Sequence, residues 1–473
     1  MKCTKLLPNI QNQLQELLEK HPLVTPIAHA LAAHGGQIFI VGGAVRDLLL
    51  AKEVYDIDIE VHNLSLEIVE QILSTFGAVS FIGKSFGVLK VHGLPVDFSL
   101  PRSDSQGRKP EVTVDPTMGI EEALRRRDLT MNALAIDVLS KELVDPFNGY
   151  EDILTRTLRS PDTTFFTQDP LRFFRVMHFI SRFEMLPDRA LNQVCATMSL
   201  IGLSLERIES EFEKLMLKSV KPSLGIRWLR VIGRLHEILP ELAATRDVPQ
   251  EHDWHPEGDV FEHSMQSLDA AAALTYDTQE QKLVGLYGAL CHDLGKVVAT
   301  QFSKGRIRSH GHDEAGAPRA RALLKRITRK NILIDTIPLL VKAHMQPFTF
   351  IKLNASPAAY KRLALRLAPV TSIKELCTIA RADKQGRNKL KGHPLFIPLP
   401  DLDLFIKNAQ AYGVWLSPEL PLLQGRDIAD IVSGGPAMGK ALKFAYEYQI
   451  KNTIHDKQEL KNYVKQYLQG TLK

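Results

Sequence analysis

Val54–Val61 reads VYDIDIEV, an alternation of apolar and acidic side chains that decides how the first part of the chain folds. In a strand, successive side chains leave on opposite faces, so Tyr55, Ile57, Ile59 and Val61 are expected to face a core and Asp56, Asp58 and Glu60 to share the other face. Carboxylates one pleat apart repel, and raise each other's pKa unless cations sit between them. Two Mg²⁺ ions meet that requirement and supply the clamp needed for in-line nucleotidyl transfer. A third carboxylate completes such a site, and Asp97 in LPVDFSL, flanked by apolar Val96 and Phe98, is the candidate. The plain alternative is an amphipathic strand with a solvated acidic face.

Upstream, IFIVGGAVRDLLL (Ile38–Leu50) reads as strand, glycine turn and helix. Gly42 and Gly43 let the backbone approach a ligand, and the helix start with Arg46 offers an anion site for a triphosphate. Short β-rich runs alternate with helical ones from Gln37 to about Val138, which predicts an α/β domain with a small sheet behind a helical lead-in of about 35 residues. From Gly149 to about Ala243, and again from about 250 to 390, the pattern is helical, the later block being rich in histidine. KGHPLFIPLPDLD (Lys391–Asp403) reads as a proline-rich linker, and a helical tail follows it.

At 473 residues the chain is long for one core, and 44% hydrophobic with 24% charged residues is the balance of a soluble globular protein. A net charge of +5 suits a nucleic-acid partner without requiring one. Cys3, Cys195, Cys291 and Cys377 lie far apart with no C-x-x-C pair, the usage of reduced thiols in a cytoplasmic protein. The start lacks the apolar run of a signal peptide, and no 18-residue apolar stretch exists, so no membrane association is expected.

VGGAVRD, DIDIEV, RRRDLTMNALA, DPFNGYEDI and DPLRFFR occur in the order found in the class II tRNA nucleotidyltransferase (CCA-adding) and poly(A) polymerase family, and residues 37 to 220 resemble it. The resemblance implies an α+β multidomain protein with a polymerase-β-like head (1–145), a helical neck and body (146–245), a helical domain (246–390) and a helical tail (391–473). It implies metal binding by Asp56 and Asp58, with Asp97 as third carboxylate. Gly43, Arg46 and Arg127 would hold phosphates and ribose, Asp128 and Asn132 would contact the sugar, and Asp47 would be structural. The partners implied are tRNA, CTP and ATP.

Asp169 and Arg172, at the start of PLRFFRVMHF, are three apart and so neighbours on one helical face. Cytosine and adenine each present an amine donor beside a ring-nitrogen acceptor, which a carboxylate and a guanidinium match. Guanine and uracil reverse that polarity and leave both groups unpaired, at about 1–3 kcal/mol each. In the family this element resembles E-D-x-x-R and serves as the amino-acid template. The opposing reading is a helix cap, Asp169 before Pro170. Gln168 stands where the family has Glu, and His178 where a further nucleotide-contacting Arg often sits; Arg175 remains available on the same face. SLPRSDSQGRKPEV (Ser99–Val112) occupies the place of the family's flexible switching loop but lacks its acidic residues, which keeps a CC-adding enzyme among the alternatives. Poly(A) polymerase, and a phosphohydrolase with a relic head, are the others.

The histidine-rich block contains DVFEHSMQ, ALCHDLGKV, RSHGHDEAG, VKAHMQP and RADKQGR. A single buried histidine is usually a satisfied core residue. An adjacent His–Asp pair in an apolar helix, with more of both nearby, is hard to bury unless a divalent metal satisfies them together. The arrangement resembles the HD superfamily of metal phosphohydrolases, whose pattern maps onto His263, His292, Asp293 and Asp383 for a first metal. His312 and His344 would serve a second, with His310 and Lys296 as phosphate contacts. Mixed nitrogen and oxygen donors suit Mn²⁺, Ni²⁺, Fe²⁺ or Mg²⁺. The implied chemistry is metal-assisted hydrolysis of a phosphate ester, a 2′,3′-cyclic or terminal phosphate on RNA; an inactive scaffold is the alternative. Basic residues at Arg319, Arg321, Lys325, Arg326, Arg329 and Lys330, and at Lys440, Lys443 and Lys451, would contact tRNA phosphates, or form solvated helix faces.

Overall fold

Strand β3 (Ile57–His62) lies near the middle of an eight-stranded mixed sheet in a computed structural model that describes residues 3–81, 87–104, 112–389 and 394–470. The other strands of the sheet are β1 (Cys3–Lys5), β2 (Gln37–Val41), β4 (Val79–Phe81), β5 (Val88–Val91), β6 (Val96–Ser99), β9 (Ala135–Asp137) and β10 (Glu142–Val144). Strands β7 (Arg102–Asp104) and β8 (Val112–Val114) pair separately. The order is β1-β10-β9-β2-β3-β6-β5-β4. Only β3 and β6 run parallel within this sheet, and the connection between them carries the helix Leu66–Leu73 and strands β4 and β5. The helical lead-in expected at the start opens instead on β1, which pairs with β10, before helices Pro8–Lys20 and Val24–Ala33.

Alternation in β3 sorts the side chains by face. Ile57, Ile59 and Val61 are buried with Phe98 and Leu89 of the neighbouring strands. Tyr55, expected on that face, precedes the strand and is 75% exposed, its hydroxyl donating to Glu53. Glu60, expected to share the acidic face with Asp56 and Asp58, is buried, which the alternative of a solvated acidic face does not accommodate.

The chain divides into two compact units, Met1–Glu211 and Phe212–Lys473. After the sheet the first unit turns helical, with Thr163–Gln168, Leu171–Phe183 and Arg189–Thr197, interrupted by a two-residue parallel pairing of Thr157–Leu158 with Leu186–Pro187.

In the second unit, helices Val260–Ala272, Gln279–Cys291, His312–Ile327, Asn331–Ala343 and Ile373–Gln385 pack around a common core. Their starts are written in the sequence. Asp259 accepts from Glu262 N, Thr278 from Gln281 N, and Ser372 with Glu375 forms a capping box. Val260–Ala272 is buried almost all round, as befits a helix surrounded by others. A hairpin, Gln301–Ser303 with Arg306–Arg308, interrupts the helical text. The linker expected at Lys391–Asp403 gives way to a helix at Pro400–Ala411, and its residues 391–393 lie outside the described ones, as do residues 105–111 of the Ser99–Val112 stretch. Cys195, Cys291 and Cys377 are buried and form no disulfide among the described residues. Among the described residues no helix is long and apolar enough to cross a membrane.

Candidate active site and candidate metal centre

The parallel register sets Asp58 directly opposite Asp97 on the adjacent strand, and Asp97 opposite Lys90 on β5, whose Nζ lies 3.0 Å from Asp97 Oδ1. Asp56 stands just ahead of β3. Asp58 opens to solvent while protein crowds its other side. That crowding pushes its carboxyl above the usual range, Arg127 opposes the shift, and Asp97, Asp56 and Glu60 add to it. A carboxylate cluster whose charges raise one another is what bound cations relieve.

Glu60, one pleat beyond Asp58, ties this cluster to the glycine turn. It lies 3.0 Å from Arg127 Nη2 and 3.1 Å from His62 Nε2, and His62 contacts the Met118 carbonyl through Nδ1 at 2.8 Å. Burial works against the Glu60 charge, but His62 and Arg127 hold its carboxyl below its usual range. Arg127 is thereby fixed against Gly42. A Cβ there would meet Arg127 Nη1 at 3.5 Å, and Gly42 has φ of 68°, a left-handed conformation that favours glycine.

Arg46, expected at a triphosphate, is 5% exposed and already engaged. It donates to Asp47 at 2.8 Å and to Asn132 Oδ1 at 2.7 Å, and it stacks 4.8 Å from the Phe183 ring centroid. Asn132 donates on to Asp128 at 2.9 Å, and Arg175 Nε donates to the other Asp128 oxygen at 2.6 Å. Burial opposes the Asp128 charge, yet Arg175 and Asn132 hold its carboxyl down to about 2. Asp128 is thus a hub joining Arg175 of the helix Leu171–Phe183 to the turn around Asn132. Both its oxygens are occupied within the protein.

The expected Asp169–Arg172 pair is parted. Asp169 accepts from Leu171 N at 3.0 Å, the capping contact, and both its oxygens take Arg207 Nη2 at 3.0 and 3.1 Å. Arg172 donates to the carbonyls of Phe165 at 2.6 Å and Arg126 at 2.7 Å. His178 is buried, with Nδ1 2.6 Å from Glu211. Arg207 and Glu211 escape sequence reading because their partners lie 38 and 33 residues away with no local spacing to mark them.

In the second unit, side chains from several helices converge. His263 Nε2 lies 3.1 Å from His292 Nε2, 3.1 Å from Asp383 Oδ1 and 3.5 Å from Asp293 Oδ2. Asp293 turns its other oxygen to His312 Nε2 at 3.3 Å and His344 Nε2 at 3.9 Å, and those two nitrogens are 3.1 Å apart. Three groups of side chains could hold a metal: His263, His292 and Asp293; Asp293, His312 and His344, joined to the first through Asp293; and His255, Glu257 and His263, joined to it through His263. His292, His312 and His344 turn Nδ1 to the carbonyls of Ala289, Ser309 and Val341 at 2.8, 2.7 and 2.6 Å. A carbonyl cannot donate, so Nδ1 carries the proton and the Nε2 lone pair points inward. The facing lone pairs of His312 and His344, 3.1 Å apart, repel unless a cation lies between them, and fixing of the remote nitrogen is how ligand histidines are oriented. The donor set therefore fits divalent metal. Burial, with His292 and His312 alongside, brings His344 down to about 3, which favours its neutral, ligating form.

Lys296 Nζ lies 2.7 Å from Asp293 Oδ2 and donates to Gln250 at 2.7 Å. His310 is exposed, with no described contact to the cluster. Arg387, one turn beyond Asp383, grips it through Nη2 at 2.8 and 2.9 Å; the i, i+4 spacing could have revealed it. Gly295 lets the His292–Asp293 turn approach the next helix, since a Cβ there would fall 1.9 Å from the His312 carbonyl oxygen. Of the basic residues, Arg321, Arg326 and Lys330 are spent on Asp335, Glu241 and Glu213.

A sheet that presents paired carboxylates beside an arginine-backed glycine turn defines a nucleotidyltransferase head, and the family model described as the poly A polymerase head domain matches residues 38–159. The multifunctional CCA protein of Pasteurella multocida (strain Pm70) is 32% identical over 366 residues, covering 74% of this chain and 84% of that protein. That of Teredinibacter turnerae is 31% identical over 371 residues, covering 76% and 86%. Among solved structures, the Bacillus stearothermophilus CCA-adding enzyme in complex with CTP shares the fold at a TM-score of 0.65 and 20% identity, covering 98% of this chain and 99% of that one. The Thermotoga maritima CCA-adding enzyme complexed with tRNA does so at 0.59 and 17%, covering 98% and 97%. The chain belongs to the CCA-adding enzyme and poly(A) polymerase family, as a relative of its multifunctional CCA proteins. Nucleotidyltransferases of this fold use divalent metal.

Proposed function

We propose that this protein adds C and A to the 3′ end of tRNA from CTP and ATP, and that its second unit hydrolyses a phosphate ester on RNA. The observation that carries the first reading is the in-register pair Asp58–Asp97 beside Arg127, which Glu60 holds against Gly42. Similarity to proteins named multifunctional CCA protein supports it. In nucleotidyl transfer the 3′ oxygen of the RNA attacks the α-phosphorus of the incoming nucleotide, and the bond to the bridging oxygen of pyrophosphate breaks. Asp56, Asp58 and Asp97 are the residues to hold Mg²⁺. When bound, these ions neutralise the phosphates and activate the attacking hydroxyl. Arg127 faces the triphosphate. Asp128 and Asn132 act as a braced pair that fixes Arg46 and Arg175, and any contact from Asn132 to the sugar is made from that frame.

Base choice rests on Asp169 and Arg172. Each now has protein partners, Arg207 for the carboxylate and two carbonyls for the guanidinium. Binding C or A exchanges these for the amine and ring nitrogen of the base. For the second unit, His263, His292, Asp293 and Asp383 are the residues to hold one metal, and Asp293, His312 and His344 another. A set this rich in imidazole favours Mn²⁺, Fe²⁺ or Ni²⁺ over Mg²⁺. Domain limits near 145, 245 and 390 accompany this reading, with the head, the base-recognition helix, the metal domain and a tRNA-contacting tail in that order.

The test is incorporation of labelled CTP into tRNA lacking CCA. Asp58→Ala and Asp97→Asn should each lose about 10³-fold or more, the equivalent of about 4 kcal/mol of transition-state stabilisation. Activity within tenfold of the unaltered protein in both variants would remove these residues from the chemistry.

A further inference from the structure

Glu257 lies in the loop ahead of the helix Val260–Ala272, close enough to His255 and His263 for the three to hold a metal, but outside the sets of His263, His292, Asp293 and Asp383 and of Asp293, His312 and His344 proposed above. Its side chain is fully shielded from solvent. One oxygen, Oε1, serves two histidines, lying 2.6 Å from His263 Nδ1 and 2.9 Å from His255 Nδ1. The His263 contact is at ion-pair distance without the geometry of a hydrogen bond. Oε2 is buried without a hydrogen-bond partner among the described residues. A buried carboxylate with one oxygen left unpartnered costs free energy that packing alone does not return, so the contacts of its other oxygen have a task. The other side of His255 points the same way, since its Nε2 lies 3.5 Å from Lys296 Nζ, and Lys296 contacts Asp293 at 2.7 Å.

We propose that Glu257 is the positioning carboxylate of the metal centre. It keeps the proton of His263 on Nδ1, so that Nε2 is offered to the first metal, and through His255 it steadies the Lys296 ammonium beside Asp293. The inference rests on the reading of this cluster as a metal centre. It also predicts an asymmetry. His312 and His344 are oriented by main-chain carbonyls, so the second metal position does not depend on Glu257.

Co²⁺ serves as the probe, titrated into the metal-free full-length chain and followed by its visible absorbance and by metal per chain after dialysis. The unaltered protein should take up about two Co²⁺. In Glu257→Ala the first position should weaken about 10–100-fold while the second holds. Glu257→Gln, which keeps an acceptor oxygen but no charge, should fall between. Binding of no metal by the unaltered protein would overturn the metal-centre reading and this inference with it. Two Co²⁺ held by Glu257→Ala with unchanged affinity and spectrum would overturn the role of Glu257 alone. Equal weakening of both positions, with Glu257→Gln like the unaltered protein, would mark a packing role and also overturn it. If Glu257→Ala does not unfold cooperatively when heated, Glu257→Gln decides, and an unchanged titration there refutes the proposal.

Discussion

Asp128 shows how one buried carboxylate couples a turn to a helix. Its partner Arg175 compensates a charge that is 6% exposed, so Arg175→Ala should cost about 3 kcal/mol of stability at pH 7 by leaving that charge unpaired. The pH dependence has a definite sign. The folded carboxyl titrates near 2 against an ordinary 3.8, so its stabilisation is complete above about 4 and is lost as pH falls towards 2. The difference between Arg175→Ala and the unaltered protein in urea unfolding should therefore shrink between pH 5 and pH 3; an equal difference at both would contradict the ion pair's role. At the residues proposed to read the base, Arg172→Ala should erode discrimination against UTP and GTP by about tenfold to a hundredfold, since about 1–3 kcal/mol attaches to each unpaired polar group. Misincorporation rates measured with each nucleotide alone check this, and unchanged selectivity would exclude Arg172 from base choice.

Elements were legible where one face of a short segment is apolar. Strand β3 and the glycine turn after β2 follow from period and turn residues, whereas the segments that carry His263 and Asp383 were legible only as helical text. Strands of three residues such as β1 and β10 were not, because they hold too few side chains to establish a period and are fixed by pairing with distant segments. The same limit applies to the sites. Spacing brought Asp58 and Asp97 into view as strand residues, and the parallel register that sets them side by side comes from the crossover. Spacing likewise put Asp169 near Arg172, but the arginine that takes the carboxylate is Arg207, supplied from another helix. At the element scale Gly295 is the sensitive point. Gly295→Ala forces a Cβ into the His312 carbonyl and the Gly316 nitrogen, so it should cost about 1–3 kcal/mol and displace His312 from the cluster. A lowered melting temperature with less metal retained after dialysis is the expected result. Unchanged values of both would mean that the two segments separate freely.

For the whole chain, the two proposed chemistries fall in two compact units, Met1–Glu211 and Phe212–Lys473, with no proposed ligand residue in common. Asp58→Ala should accordingly abolish nucleotide addition and leave hydrolysis of a 2′,3′-cyclic phosphate substrate intact, whereas His292→Ala should do the reverse. Loss of both activities in either variant would refute independent sites. Template-free addition of a defined end is tested by supplying purified protein and tRNA lacking CCA with CTP alone, ATP alone or both, and resolving products to the nucleotide. Two residues of C are expected with CTP alone, and a single terminal A only when ATP is also present. Long A tails, or no extension with any combination, would contradict addition of a defined end.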